Sequence, residues 1–246
     1  DRLFVVDLVT GRAVAVATLT STQIEGIAFD STGEFFYGVD NSRHTLLNFS
    51  SLGAASSASV TLPFGTYTNI ARDPLTGSYY AHVNNDRSLV IIDPATGDVR
   101  SVGTSPEAHV ESLAFAGDGR LFGIGVAPAG GNLLFEFDVQ TAAVLSAIAI
   151  TSNLANPAFH NSLAIDPVTG TFYTVAAIEG GLYSIDPLSG AATRIGQTEM
   201  RNVRSLDFAL TQDAASVPEP GTLALLTLGI SILVGRSRRK HNRLRR

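Results

Sequence analysis

Glu25, His109, Glu111, His160 and Arg204 are the side chains whose types suit a reaction centre. Paired carboxylates with imidazole and guanidinium groups can serve general acid–base work, with one carboxyl giving a proton while the other accepts one. The chemistry they would suit is a metal-assisted lyase or hydrolase reaction on polysaccharide. The five residues are spread from position 25 to position 204. Only a fold that returns repeatedly to one place can bring them together.

The chain does return. One pentad recurs five times, as Gly26–Asp30 (GIAFD), Asn69–Asp73 (NIARD), Ser112–Ala116 (SLAFA), Ser162–Asp166 (SLAID) and Ser205–Ala209 (SLDFA). Its third residues, Ala28, Ala71, Ala114, Ala164 and Asp207, are separated by 43, 43, 50 and 43 residues. Each pentad leads through a turn to an aromatic-rich run, such as EFFYGVD at Glu34–Asp40 or TFYTVAAI at Thr171–Ile178. A third run and an Asp-containing turn follow, as in SLVIIDPATG at Ser88–Gly97, and a fourth run ends the unit. β-branched and aromatic residues in short runs, bounded by Gly, Pro, Asn and Asp, are strand signals. Four strands in about 40–45 residues is the size of a β-propeller blade.

The two ends complement each other. LFVVDLVTG and RAVAVATL, at the start, match strands three and four of a unit, and SLDFAL, near residue 210, matches strand one. The expected fold class is therefore all-β: a β-propeller over residues 1–210, of five four-stranded blades with one shared between the termini. The second strand of that shared blade is expected upstream of Asp1. A sandwich or open solenoid is the competing architecture, but neither requires complementary ends. No basic, apolar leader precedes the first strand pattern, so the start reads as processed or truncated.

In a propeller the first strands line the central channel, and the residues just before them meet at one mouth. Those positions are Glu25, Thr68, Glu111, Asn161 and Arg204, with Gln23, Thr66, His109, Phe159 and Asn202 two residues earlier and His160 between the rings. A metal, a sugar or a charged ligand would suit such a funnel. The preferred reading is plainer: a solvated rim with an Arg204–Glu pair, because the His and Glu residues lack tight ligand spacing. No catalytic residue, metal or cofactor is assigned on that reading.

Asp30, Asp73, Asp93, Asp166 and Asp186 invite a calcium interpretation, but each turn brings one carboxylate, where a calcium loop brings several. They read instead as caps of their own turns. His82 lies in a strand, on either the core or the surface face, and His44 lies in a turn. Tyr37, Tyr79, Tyr80, Phe172 and Tyr173 read as blade-packing aromatics, with saccharide stacking open to any that face outward. Serine-nucleophile, phosphate-loop, dinucleotide and HExxH motifs are absent from the sequence.

Charge divides the chain. Up to Ser216 the net charge is −11, and from Val217 onward it is +6. An acidic body argues against nucleic acid, which needs a basic face. There is no cysteine, which excludes a disulfide scaffold, a thiolate metal site and a cysteine nucleophile. Residues 211–217 form a polar linker, and 218–246 form a tail in three parts. Pro218 and Pro220 keep its start extended. Gly221–Gly235 is uncharged and apolar, and 236–246 carries seven cations, among them Arg236, Arg238, Arg239 and Lys240. As a helix the 15-residue run spans about 22 Å, short for a hydrocarbon core of about 30 Å but within reach of snorkelling arginines. The cations are expected on the cytoplasmic side, with the acidic body opposite.

VPEPGTLALL, an apolar run and an arginine-rich end, in that order, resemble the PEP-CTERM sorting signal of Gram-negative bacteria. That resemblance implies recognition by an exosortase, a membrane transpeptidase acting near Pro218, Glu219 and Pro220, and export to the surface or an exopolysaccharide matrix. The propeller resembles uncharacterised repeat domains often joined to this tail. The expectation is a non-catalytic exported protein, membrane-anchored by its tail helix until processed, whose propeller acts as a binding or structural module, with polysaccharide as a candidate partner. The enzyme reading through Glu25, His109, Glu111, His160 and Arg204 is the alternative.

Overall fold

The computed structural model describes residues 1–19, 23–50, 56–105, 109–127, 130–152, 162–209 and 230–236, with 56–58 and 230–236 described as backbone only. The described residues hold strands and turns and no helix. Five four-stranded antiparallel sheets account for the strands.

Four sheets are blades, each built from one continuous stretch. The first blade holds β3 (Ile24–Phe29), β4 (Phe35–Asp40), β5 (Thr45–Ser50) and β6 (Ser56–Thr61). The second holds β7 (Tyr67–Arg72), β8 (Tyr79–Val83), β9 (Ser88–Ile92) and β10 (Val99–Thr104). The third holds β11 (His109–Phe115), β12 (Leu121–Val126), β13 (Asn132–Phe137) and β14 (Val144–Ala149). The fourth holds β15 (Ala164–Ile165), β16 (Phe172–Val175), β17 (Gly181–Ile185) and β18 (Ala192–Gln197). The remaining sheet joins the chain ends in the order β19 (Arg201–Ala209), β20 (Ile230–Arg236), β1 (Arg2–Val6), β2 (Ala13–Thr18).

The first strands β3, β7, β11, β15 and β19 touch one another in a closed cycle, so the arrangement is a β-propeller. Burial falls from axis to rim. Every residue of β8 is buried, because a second strand is covered by the neighbouring sheet on each face. The outermost strands β2 and β14 alternate between half-buried and exposed, as expected where one face meets water.

The pentad Asp residues close turns, as expected. In Asp73–Gly77 the side chain accepts from Leu75 N at 2.8 Å and from Thr76 Oγ1 at 2.7 Å, while Gly77 N donates to Asp73 O at 2.9 Å. Gly77 has φ +76°, a conformation that favours glycine. Asp166 repeats the pattern, accepting from Val168 N at 2.8 Å and Thr169 Oγ1 at 2.8 Å. The aromatics pack between sheets, as expected. Tyr37 meets Tyr79 at 5.0 Å, Tyr80 meets Phe115 at 5.2 Å, Phe122 meets Phe172 at 4.8 Å and Tyr173 meets Phe208 at 5.9 Å between ring centroids.

One expectation needs correction. The sequence reading places a transmembrane helix over 221–235, yet Ile230–Arg236 is a strand, and residues 221–229 lie outside the described residues. Among the described residues no helix is long and apolar enough to cross a membrane. The strand forms because β1 and β19 both present unpaired backbone groups to the gap between them. β20 satisfies both edges and carries the β-branched residues that suit a pleated sheet. It occupies the second-strand position that the sequence reading assigns to residues ahead of Asp1.

Candidate functional site

Four β-bulges build the mouth. The pairing of β3 with β4 skips Glu25, that of β7 with β8 skips Thr68, that of β11 with β12 skips Glu111, and that of β19 with β20 skips Arg204. A bulge leaves one residue out of the ladder and re-aims its side chain. The same insertion, repeated just ahead of four pentads, delivers these four side chains to one cavity.

The cavity has a volume of about 210 Å³ and is lined by Glu25, Asn41, Thr66, Tyr67, Thr68, Asn84, Glu111 and Arg204. Arg204 Nη1 pairs with Glu25 Oε2, the rim pair expected from the sequence. His109 Nε2 lies 3.0 Å from Glu111 Oε1 and 3.2 Å from Asn84 Nδ2. Burial pushes the Glu111 carboxyl above the ordinary glutamate range, opposed by His109 and Arg204 and reinforced by Glu25. Asn41 is held by two bonds to the Tyr67 backbone, donating to Tyr67 O at 2.7 Å and accepting from Tyr67 N at 3.0 Å. The Tyr67 hydroxyl donates to Pro63 O at 3.1 Å, so its ring is a fixed wall.

Next to the mouth the first pentad residues form a polar girdle. Asn69 Nδ2 donates to Ser112 Oγ at 2.6 Å, Ser205 Oγ donates to Asn69 Oδ1 at 3.3 Å, and Ile27 N donates to Ser205 Oγ at 3.1 Å. Asn69, Ser112 and Ser205 are fully buried, as is Ser162 in the fourth blade. Gly26 takes the remaining place. A Cβ there would stand 2.5 Å from Asn69 Cα and 2.6 Å from its Oδ1. Below the girdle the third pentad positions carry four alanines and Asp207, whose Oδ2 accepts from Phe29 N at 2.8 Å. Burial raises the Asp207 pKa to about 7, against the hydrogen bonds from Phe29 and Phe208.

Of the five reactive residues named from the sequence, the structure brings Glu25, Glu111 and Arg204 to one cavity and places His109 against Glu111. His160, Phe159 and Asn161 lie outside the described residues. Thr66 and Thr68 line the cavity, whereas Gln23 and Asn202 are exposed and do not. Among the described residues no group of three or more His, Cys, Asp or Glu is placed to hold a metal ion. His82 is buried, and His44 lies against Phe64 with ring centroids 5.0 Å apart and planes tilted by 53°. Sequence reasoning missed Asn41, Asn84, the girdle and Asp207. Their signals were present: Asn follows the second strand in both GVDN and AHVN, and the last pentad alone carries Asp at its third position.

The repeat family described as "Repeat of unknown function (DUF6923)" matches residues 59–206, more than half of the chain. The chain belongs to this family. Residues 216–240 of the DUF6923 protein match the PEP-CTERM protein-sorting motif, the signature of an exosortase-sorted exported protein. A comparison with curated proteins finds no match.

Solved structures resemble it in fold alone. Hydrazine synthase of Kuenenia stuttgartiensis is 14% identical with a TM-score of 0.50, over 76% of the DUF6923 chain and 53% of its own. The chain thus spans about half the length of that protein. A chain of the nidogen/laminin complex is 15% identical with a TM-score of 0.56, covering 84% of this chain and 81% of its own. Glutaminyl cyclase of Myxococcus xanthus is 15% identical with a TM-score of 0.58, covering 78% of this chain and 88% of its own.

Proposed function

We propose that this DUF6923 protein is a non-catalytic exported surface or extracellular-matrix protein, with a five-bladed propeller that binds a polar ligand at its mouth. The fifth blade in this reading is the sheet β19-β20-β1-β2. The observation that carries the binding role is the convergence of Glu25, Glu111, Arg204, Asn41 and Asn84 on one cavity of about 210 Å³. Carboxylates, carboxamides and a guanidinium on a rigid frame suit the hydroxyls of a saccharide unit, and Tyr67 adds a flat wall. Polysaccharide is therefore the ligand class. Before processing, and only while Ile230–Arg236 is out of the sheet, the tail anchors the protein in the inner membrane of a Gram-negative host, with Arg236, Arg238, Arg239 and Lys240 on the cytoplasmic side. Exosortase then acts near Pro218, Glu219 and Pro220 and releases the propeller outside the cell.

The test is titration of the purified protein with matrix polysaccharide and its oligosaccharides, by calorimetry, alongside Glu111→Gln and Arg204→Met. Binding that falls at least about tenfold in both variants, with melting temperature retained, supports the site. Binding that is absent, or unaltered in both variants, defeats it. The mature C-terminus, read by mass spectrometry, tests the sorting step: a terminus near Val217–Gly221 supports release, and an intact Arg246 overturns it.

The enzyme reading is favoured by one contact, His109 against Glu111, which pairs an imidazole with a carboxyl of raised pKa. It requires Glu111→Gln to abolish polysaccharide cleavage while leaving affinity within a few-fold. Binding without turnover by the unaltered protein removes it.

A further inference from the structure

The four blades obey one rule in their second strands. Opposite the third pentad residue stands an aromatic: Tyr37, Tyr80, Phe122 and Tyr173. Opposite the fourth stands a large apolar residue: Phe36, Tyr79, Leu121 and Phe172. Opposite the second, in the first three blades, stands a small one: Gly38, Ala81 and Gly123. Read along the second strand, the order is large, aromatic, small.

Each position has a physical reason. The aromatic packs on a ring of the next sheet, so the contacts run from Tyr37 to Tyr79, Tyr80 to Phe115, Phe122 to Phe172 and Tyr173 to Phe208. The small residue leaves room for the blade core. A Cβ on Gly38 would meet Ile24 and Phe49 at 3.2 Å, and one on Gly123 would meet Phe137 and Val110 at 3.0 Å.

β20 departs from the rule at all three positions. Ser231 stands opposite Phe208, Ile232 opposite Asp207 and Leu233 opposite Leu206. The succession of aromatics at the second-strand position breaks there, although Phe29 and Phe36, 5.5 Å apart, stand ready in the first blade. The backbone of the position is well made: β20 pairs antiparallel with β1 from Arg2↔Gly235 to Val6↔Ser231, and antiparallel with β19. The ladder accepts a strand here, and the side-chain pattern of the present strand is not the one the repeat uses.

We propose that the slot between β19 and β1 is a strand-exchange site. Its preferred ligand is an extended peptide of the repeat's second-strand type, large, aromatic, small, and Ile230–Arg236 is its displaceable occupant. Two backbone edges supply affinity for any strand, and the side-chain order supplies the choice among strands. Because β20 lies within the matched sorting motif, residues 216–240, filling the slot with such a peptide frees the tail for its processing partner. The slot borders the mouth, because the β19–β20 pairing forms the bulge that carries Arg204, and the release of the tail rests on the sorting step proposed above, but the exchange is read at Ile230–Arg236 and needs no polysaccharide.

The test is hydrogen exchange by mass spectrometry on the full chain, titrated with a peptide of the Glu34–Asp40 sequence, with an Ile230–Arg236 peptide, and with a scrambled control. The expected result is loss of protection at Ile230–Arg236 with Arg2–Val6 still protected. The Glu34–Asp40 peptide should act at about one-tenth the concentration of the tail peptide, from three cross-strand preferences of roughly 1.5- to 5-fold each. Replacing Ser231→Phe, Ile232→Tyr and Leu233→Gly together should make the tail about tenfold harder to displace. If Ile230–Arg236 is unprotected from the outset, the Glu34–Asp40 peptide must add protection to β1 and β19. Failure to displace or protect, or equal action by the two peptides, overturns the proposal.

Discussion

The backbone N–H of Phe29 donates to Oδ2 of Asp207 at 2.8 Å, so a side chain near the end of the propeller holds a strand near its start. Two further contacts join the same strands: Ile27 N to Ser205 Oγ at 3.1 Å, and Glu25 to Arg204. The ring is thus closed at the seam between β3 and β19 by side chains as well as by apolar packing.

Asp207 makes that seam pH-dependent. Its pKa is 3.8 ordinarily and about 7 in the folded protein, because burial disfavours the carboxylate. Between those values the folded state holds a proton that the unfolded state has lost, so stability from this group falls as pH rises from about 4 to about 7. Asp207→Asn keeps an acceptor for Phe29 and removes the charge. Denaturant unfolding should show the variant more stable than the parent at pH 8 and equal to it near pH 4.

His82 acts in the opposite direction. It is buried, and burial lowers its pKa from 6.5 to about 4 against the opposing side chain of Asn84. The folded state therefore excludes a proton that the unfolded state binds, and stability falls as pH drops from 6.5 toward 4. The full effect is about 3 kcal/mol, at about 1.4 kcal/mol per unit. His82→Phe should abolish that acid sensitivity, measured as the melting temperature at pH 4.5 against pH 7.5. In the parent the two slopes oppose each other, so the single variants should reveal pH dependence that the parent conceals.

The girdle sets a steric demand at Gly26. A Cβ there would lie 2.5 Å from the Asn69 Cα, a backbone atom that cannot swing aside. Gly26→Ala should cost about 2–4 kcal/mol in urea unfolding. Asn69→Ala leaves the buried Ser112 and Ser205 hydroxyls short of a partner and should cost about 1–3 kcal/mol. An unaltered midpoint in both would show that the girdle does not hold the ring together.

The Arg204–Glu25 pair separates stability from recognition. Both side chains remain partly exposed, at 30% and 20%. Exposed pairs contribute about 0–1 kcal/mol, so Arg204→Met should leave the melting temperature within a few degrees of the parent. The same change should weaken ligand binding at the mouth at least about tenfold, because it removes the one guanidinium lining the cavity.

Much of the ring was legible in the residues themselves. The pentad spacing, the Asp-Pro turns and the complementary ends each follow from local rules: an alternating or wholly apolar run makes a strand, and an Asp–Gly turn reverses it. Glu25, Thr68, Glu111 and Arg204 were found as equivalent positions in the repeat. That they leave the ladder at four bulges was not legible, since a bulge depends on the register chosen with the partner strand. The girdle residues Gly26, Asn69, Ser112, Ser162 and Ser205 share the first place of each pentad, but the hydrogen bonds that join Asn69 to Ser112 and Ser205 exist only once the ring brings separate blades together.

The tail shows where local information ends. The sequence by itself determined an apolar run behind Pro-Glu-Pro and ahead of seven cations, and with it the match to the sorting motif over 216–240. It also determined the blade pattern and the acidic body. Only the tertiary structure decided that Ile230–Arg236 lies as a strand between β19 and β1. The same residues satisfy their backbone groups as a helix in lipid or as a strand between two open edges. The choice rests on the edges offered, and those belong to residues more than two hundred positions away in β1.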